Sequence, residues 1–177
     1  MKRMVTLTDE AGTPLGEMDL LQAHTNGGSL HRAISVYVFD ASGTMLLLQQ
    51  RSPEKLLFAE FWANTCCSHP FPDEDAVAAG ERRLMEEMRF GCSLTEGPAF
   101  VYRAEDPEGK GTEHEYDIIL TGISDPIMPL TPDPKEAMDW KWVEITELEA
   151  DMKKNPEAYA PWLHLGLPKA LSAFSHG

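Results

Sequence analysis

The sequence predicts an α+β domain, and three observations predict it. Six short segments rich in β-branched and aromatic residues, bounded by Gly, Pro and Asp turns, read as strands. One stretch near the middle of the chain changes to the three-to-four-residue spacing of an amphipathic helix. Two more helical segments follow the last strand. A chain of 177 residues has room for a real core, and residues 1–177 read as one domain without repeat or low-complexity linker.

Met4 to Leu7 alternates weakly and reads as a short strand, with a turn at Gly12-Thr13-Pro14. Leu20 to Thr25 suits one or two helical turns. Asn26-Gly27-Gly28 is strong turn chemistry between His24 and His31, able to bring the two imidazoles together. Two solvated loop histidines are the plainer reading of that pair alone. Ala33–Phe39 is a strand, Asp40–Gly43 a turn, and Thr44–Gln50 the returning strand. Arg51 and Lys55 leave its end, either as a solvated edge or as an anion clamp of fork and point charge.

The helix is expected from about Glu74 to Met88, with Asp73 as cap and acidic residues in its first turn. Val77, Leu84 and Met88 form its apolar stripe, while Arg83 and Glu87 share a face at i,i+4. Strands are expected over Pro98–Ala104, Glu113–Thr121 and, as an edge, Trp140–Glu144. Thr146 is placed as the cap of a short helix ending near Asn155. Pro161 opens a last helix through Phe174, interrupted near Pro168.

Between these elements lies Trp62-Ala63-Asn64-Thr65-Cys66-Cys67-Ser68-His69-Pro70. In an extended segment side chains two residues apart share a side, so Cys67 and His69 face one way and Cys66 the other. A Cys-x-His by itself is most often a core thiol beside a capping imidazole. The same alternation puts Glu113 and Glu115 on one face, with His114 opposite. Two same-face carboxylates among apolar neighbours are costly unless paired or metal-bound.

The formal charge of −14 argues against nucleic acid or an anionic membrane as partner. Three cysteines, two of them adjacent, imply no disulfide framework and suit a reducing, cytoplasmic setting. No run of about 18 apolar residues exists. His24, His31, His69, Glu113 and Glu115 make a donor set suited to a six-coordinate Mg2+, Mn2+ or Zn2+. Arg51, Lys55 and Arg83 could hold a diphosphate, with Glu87 on a second metal ion.

From Ser68 to Phe90 the spacing resembles a degenerate Nudix box, in which Glu74, Arg82, Leu84, Glu86 and Glu87 fit. Ser68, Arg83 and Arg89 stand where that box has Gly, Glu and Gly. Joined by His24-x6-His31, Arg51-x3-Lys55, Trp62-x-Asn64-x2-Cys67-x-His69-Pro70, Arg82-Arg83-Leu84-x2-Glu87, Tyr102-Arg103-Ala104, Glu113-x-Glu115 and Pro161-Trp162, the chain resembles the type I isopentenyl diphosphate isomerase family from His24 to Trp162. The resemblance implies a Nudix-like fold, with mixed β-sheets packed between helices. It also implies interconversion of isopentenyl and dimethylallyl diphosphate by a monomer or homodimer. In that family pattern Cys67 and Glu115 are the acid/base pair, Tyr102 assists Glu115, and Trp162 shields a carbocation. Arg51, Lys55, Ser68 and Arg83 contact substrate. The His/Glu set holds Mn2+, Mg2+ or Zn2+, and Glu87 holds Mg2+ on the diphosphate. Two other readings remain open: a Nudix-type diphosphate hydrolase, and a metal-binding module without catalysis.

Overall fold

Strand β3 (His31–Phe39) is the axis of the sheet. The computed structural model describes residues 3–176. Along one edge β3 pairs in parallel with β8 (Thr112–Ile123), His31 opposite Glu115 and Val36 opposite Leu120. Along the other it meets β6 (Cys66–Ser68) antiparallel, Ser35 opposite Cys67. Its first residue also pairs with β1 (Met4–Thr8). β7 (Leu94–Glu105) runs antiparallel to β8, with Tyr102 opposite Glu115.

The expected return strand is present as β4 (Met45–Arg51), but it pairs with β3 only at Phe39 and Leu46. It then diverges to pair along its whole length with β9 (Ala137–Glu144), while its end meets β5 (Trp62–Ala63). β9 has no partner besides β4 among the described residues, as expected of an edge. β2 (Pro14–Asp19), hydrogen-bonded to β1, was not legible. It is mostly exposed, so it carries no buried alternation, and Pro14 and Gly16 argue against a strand.

Helices cover both faces of the sheet. α2 (Ala76–Met88) packs Ala79, Leu84 and Met88 on the even face, against Ile34, Val36, Ile118 and Leu120. On the odd face α3 (Ile145–Lys154) and α4 (Pro161–His176) bring Leu148, Leu163 and Leu167 to Tyr37, Phe39 and Ile119. Each fully buried side chain of this size contributes about 1.5–3 kcal/mol. Close approach needs glycine twice. A Cβ on Gly80 would lie 2.4 Å from Leu120, and one on Gly166 would lie 2.2 Å from the Tyr37 hydroxyl.

Several boundaries differ from expectation. Asp75, not Asp73, caps α2, accepting from Val77 and Ala78 N–H at 3.0 and 3.1 Å; Asp73 instead takes a left-handed turn (φ 65). The helix therefore starts two residues later, and its first turn holds no acid. Arg89 ends it in the left-handed conformation usual for glycine (φ 60), with its guanidinium 2.5 Å from Asp133. Glu144 rather than Thr146 is the cap residue of α3, without a side-chain bond. α4 runs unbroken through Pro168. A four-residue helix, α1 (Leu20–Ala23), is capped by Asp19.

Candidate active site

One ligand atom from each of His24, His31, His69, Glu113 and Glu115 lies within 4.8 Å of all the others. α1 delivers His24, β3 opens on His31, His69 follows β6, and alternation along β8 aims both carboxylates to one side. The donor chemistry fits a cation. His24 and His31 donate through Nδ1 to the carbonyls of Leu20 and Ser29, both at 2.7 Å, so their Nε2 atoms turn inward. His31 Nε2 is buried without a hydrogen-bond partner. Burial and the neighbouring His69 hold that ring neutral, its pKa lowered to about 4. His24 Nε2 faces Glu113 Oε2 at 2.8 Å. Burial opposes charge on His24, but the Glu113 bond outweighs it and lifts its pKa to about 9. Glu113, despite burial, falls to about 2 because His24 bonds it. An orphaned lone pair beside two carboxylates is an arrangement that a divalent ion satisfies.

Glu115 joins this cluster to a second one. One of its oxygens lies 2.7 Å from His69 Nε2, and the other accepts from the Tyr102 hydroxyl at 2.5 Å. Burial and then Glu113 raise its pKa to about 7. Across the cavity the Cys67 thiol donates to Asn64 Oδ1 at 2.8 Å and receives the Trp162 indole N–H at 3.0 Å. Burial pushes this thiol up to about 12. The Trp162 ring, 6.0 Å from Tyr102 and 5.4 Å from Phe58, walls the space beside it. Cys66 points into the core under α2, as alternation predicts.

Arg51, Lys55, Ser68 and Arg83 all line this cavity of about 180 Å3, together with Cys67, Trp162 and the carboxylates. Arg51 donates to the carbonyls of Leu57 and Phe58 and lies 5.1 Å from the Trp162 ring centre. Lys55 and Arg83 share Glu136. Glu87 stands apart from the five-residue cluster. It is fully buried, with one oxygen 2.6 Å from Arg83 and the other 3.2 Å from the Gln49 amide, and does not line the cavity. His114 turns away to the Gly28 carbonyl, and half-buried His164 lies against Pro156.

Three residues of the site escaped sequence reasoning, and a fourth, Asn64, entered it only as a motif position without a role. Asn64 is its hub, donating to the Val36 and Cys66 carbonyls while its oxygen meets Cys67 and Trp162. Asp117 is a third acid on the Glu113–Glu115 face; its carboxyl, bonded by Ser35, is pushed well up by burial and then by Glu115. Extending the alternation by one step would have found it. Arg3 lines the cavity and Glu136 binds two of its cations, Lys55 and Arg83, only through tertiary contact, and no local pattern marks them.

A mixed sheet between helices, with this site at the end of β3 and β8, defines a class. The NUDIX domain family model matches residues 29–164. The DR0079 protein of Deinococcus radiodurans shares the fold with a TM-score of 0.74 at 16% identity, over 94% of this chain and 99% of that one. A MutT NUDIX hydrolase from Burkholderia pseudomallei does so at 0.61 and 13%, over 80% and 98%. Within the class, the isopentenyl-diphosphate Delta-isomerase 2 of Aromatoleum aromaticum is 44% identical over 175 residues, 99% of this chain and 90% of that protein. The isopentenyl-diphosphate Delta-isomerase of Nocardia farcinica is 45% identical over 159 residues, 90% of this chain and 89% of that protein. The chain belongs to the isopentenyl-diphosphate Delta-isomerase family of NUDIX-domain proteins.

Proposed function

We infer that this chain is an isomerase interconverting isopentenyl and dimethylallyl diphosphate. One observation carries the reading: the Cys67 thiol and the Glu115 carboxyl line one cavity walled by Trp162 and Tyr102. The reaction adds a proton to the terminal alkene carbon, passes through a tertiary cation, and removes a proton from the carbon nearer the diphosphate. At rest the proton sits on Cys67, so Cys67 gives it to the alkene and Glu115 takes the second one. The Trp162 N–H at 3.0 Å and the Arg51 charge steady the thiolate that results. The Trp162 and Tyr102 faces attract the cation and keep water from it, worth about 2 kcal/mol when desolvated. Tyr102 holds the receiving oxygen of Glu115 in place. Glu115 then gives its proton to solvent and the Cys67 thiolate takes one from solvent before the next turnover.

His24, His31, His69, Glu113 and Glu115 would hold a divalent ion, Mn2+, Mg2+ or Zn2+, whose charge would favour the ionised, proton-accepting Glu115. Arg51, Lys55, Ser68 and Arg83 take the diphosphate, which carries its own Mg2+. Glu87 enters this reading as the anchor of Arg83, since contact with that Mg2+ would take its carboxylate off Arg83 and Gln49. Hydrolysis is the weaker reading, because Arg83 occupies a carboxylate position of the Nudix box and Glu87 is bound to it. No helix among the described residues is long and apolar enough to cross a membrane. The three free thiols suit a reducing cytoplasm. Incubation with isopentenyl diphosphate tests the reading: dimethylallyl diphosphate is expected, and phosphate release without it would overturn the assignment.

A further inference from the structure

We propose that Arg3, at the start of the chain, binds the substrate diphosphate as a fourth cation beside Arg51, Lys55 and Arg83; this rests on the isomerase reading above. Arg3 lines the same cavity. Its Nη2 donates to the Ser68 hydroxyl at 2.7 Å and to the His69 carbonyl at 3.4 Å, which brings its guanidinium to the wall between the thiol segment and α2.

What sets Arg3 apart is its charge balance. Lys55 and Arg83 are both tied to Glu136, and Arg83 to Glu86 and Glu87 as well. An arriving anion competes with those carboxylates for them. Among the described residues Arg3 makes no ion pair; its two hydrogen-bond partners, a hydroxyl and a carbonyl, are neutral. Burial and then the neighbouring Arg83 work against that charge, while Glu87 and Glu136 favour it only from beyond ion-pair distance. A cation held partly buried beside another cation is a strained arrangement that a multiply charged anion relieves. A guanidinium also presents five N–H donors in a planar fork suited to phosphate oxygens. Arg51, the other cation of the wall without a carboxylate partner, spends two donors on backbone carbonyls and lies against Trp162. Among the described residues, Arg3 is therefore the free charge on the Ser68 side.

Its position is fixed by backbone rather than by its side chain. The Arg3 carbonyl accepts from Leu20 N–H at 2.8 Å, and the Leu20 carbonyl accepts from the His24 ring. Truncating the Arg3 side chain leaves this link, and with it the His24 position, in place.

The test uses the full chain with its metal and two readouts, inorganic pyrophosphate affinity by calorimetry and steady-state turnover of isopentenyl diphosphate. Arg3→Ala is expected to weaken pyrophosphate binding and raise KM by about 10-fold or more, the size of a lost hydrogen bond between charged groups. Its kcat should stay within about twofold of wild type, and Arg3→Lys should recover most of the affinity because it keeps the charge. In a Ser68→Ala background Arg3→Ala should still weaken binding, since the contact is direct. Unchanged pyrophosphate affinity and KM in Arg3→Ala, beside an active wild type, overturn the Arg3 assignment alone. So does a loss that disappears in the Ser68→Ala background. A wild type that binds no pyrophosphate and makes no dimethylallyl product overturns both this and the isomerase reading.

Discussion

The two faces of the β3–β8 sheet differ by one residue of offset and by almost everything else. The even face opens on Arg32 and Tyr116 and is then apolar through Ile34, Val36, Val38, Ile118 and Leu120, where α2 closes it. The odd face begins with His31 and Glu115, passes Ala33, Ser35 and Asp117, and meets the large apolar side chains at Tyr37 and Ile119. Cys66 and Cys67 are consecutive and belong to different faces: one packs under α2 and the other bonds to Trp162 and Asn64. A strand can thus place stability and chemistry side by side, provided its register does not slip.

Substitutions that respect or cross that division should separate two kinds of loss. The largest effect is on the odd face. Glu115→Gln should lower kcat by at least about 10²–10⁴-fold, as for a positioned acid or base, with little change in thermal midpoint. On the same face His69→Ala combined with Glu113→Gln should purify with markedly less divalent metal; unchanged metal content by elemental analysis would dissolve the cluster as an ion site. Leu84→Ala, on the even side, should cost about 2–5 kcal/mol in denaturant unfolding while kcat per folded molecule holds. Trp162→Phe keeps an aromatic wall but loses the N–H on Cys67, so part of the activity should survive, and Trp162→Ala should lose far more. Equal rates for the two would reduce Trp162 to core packing.

The smallest effect concerns Glu136. Burial opposes its charge, but Lys55 and then Arg83 outweigh that and hold its pKa near about 2, below the ordinary 4.5. Its folded-state pKa is depressed, so its stabilisation is present above about 4.5 and is lost as pH falls toward 2. Glu136→Gln should therefore shallow the fall in stability across that window, measured by denaturant midpoints at stepped pH. An identical acid limb in the variant would remove Glu136 from the balance.

Periodicity explains which parts of this molecule are legible in sequence. The i+2 rule aims Cys67, Glu113 and Glu115 correctly, and the i+4 rule pairs Arg83 with Glu87, because both follow from local geometry alone. Helix starts were less clear because Asp73, Glu74 and Asp75 all offer capping oxygens, and only tertiary context chose Asp75. Pro168 predicts a break that α4 does not show. The direction of Glu87, away from the cavity, the arrival of Arg3 at its wall and that of Glu136 at Lys55 and Arg83 depend on packing between distant elements, which no window of sequence contains.

Proton exchange with solvent tests the central claim most directly. Turnover of isopentenyl diphosphate in deuterated water should place deuterium in the dimethylallyl product for wild type and for Cys66→Ala, whose loss is one of stability on the far face of the sheet. Cys67→Ala should fold and yet incorporate almost none. Deuterated product at a wild-type rate from Cys67→Ala would contradict the account, because the proton would then come from somewhere other than the face that alternation assigns to Cys67.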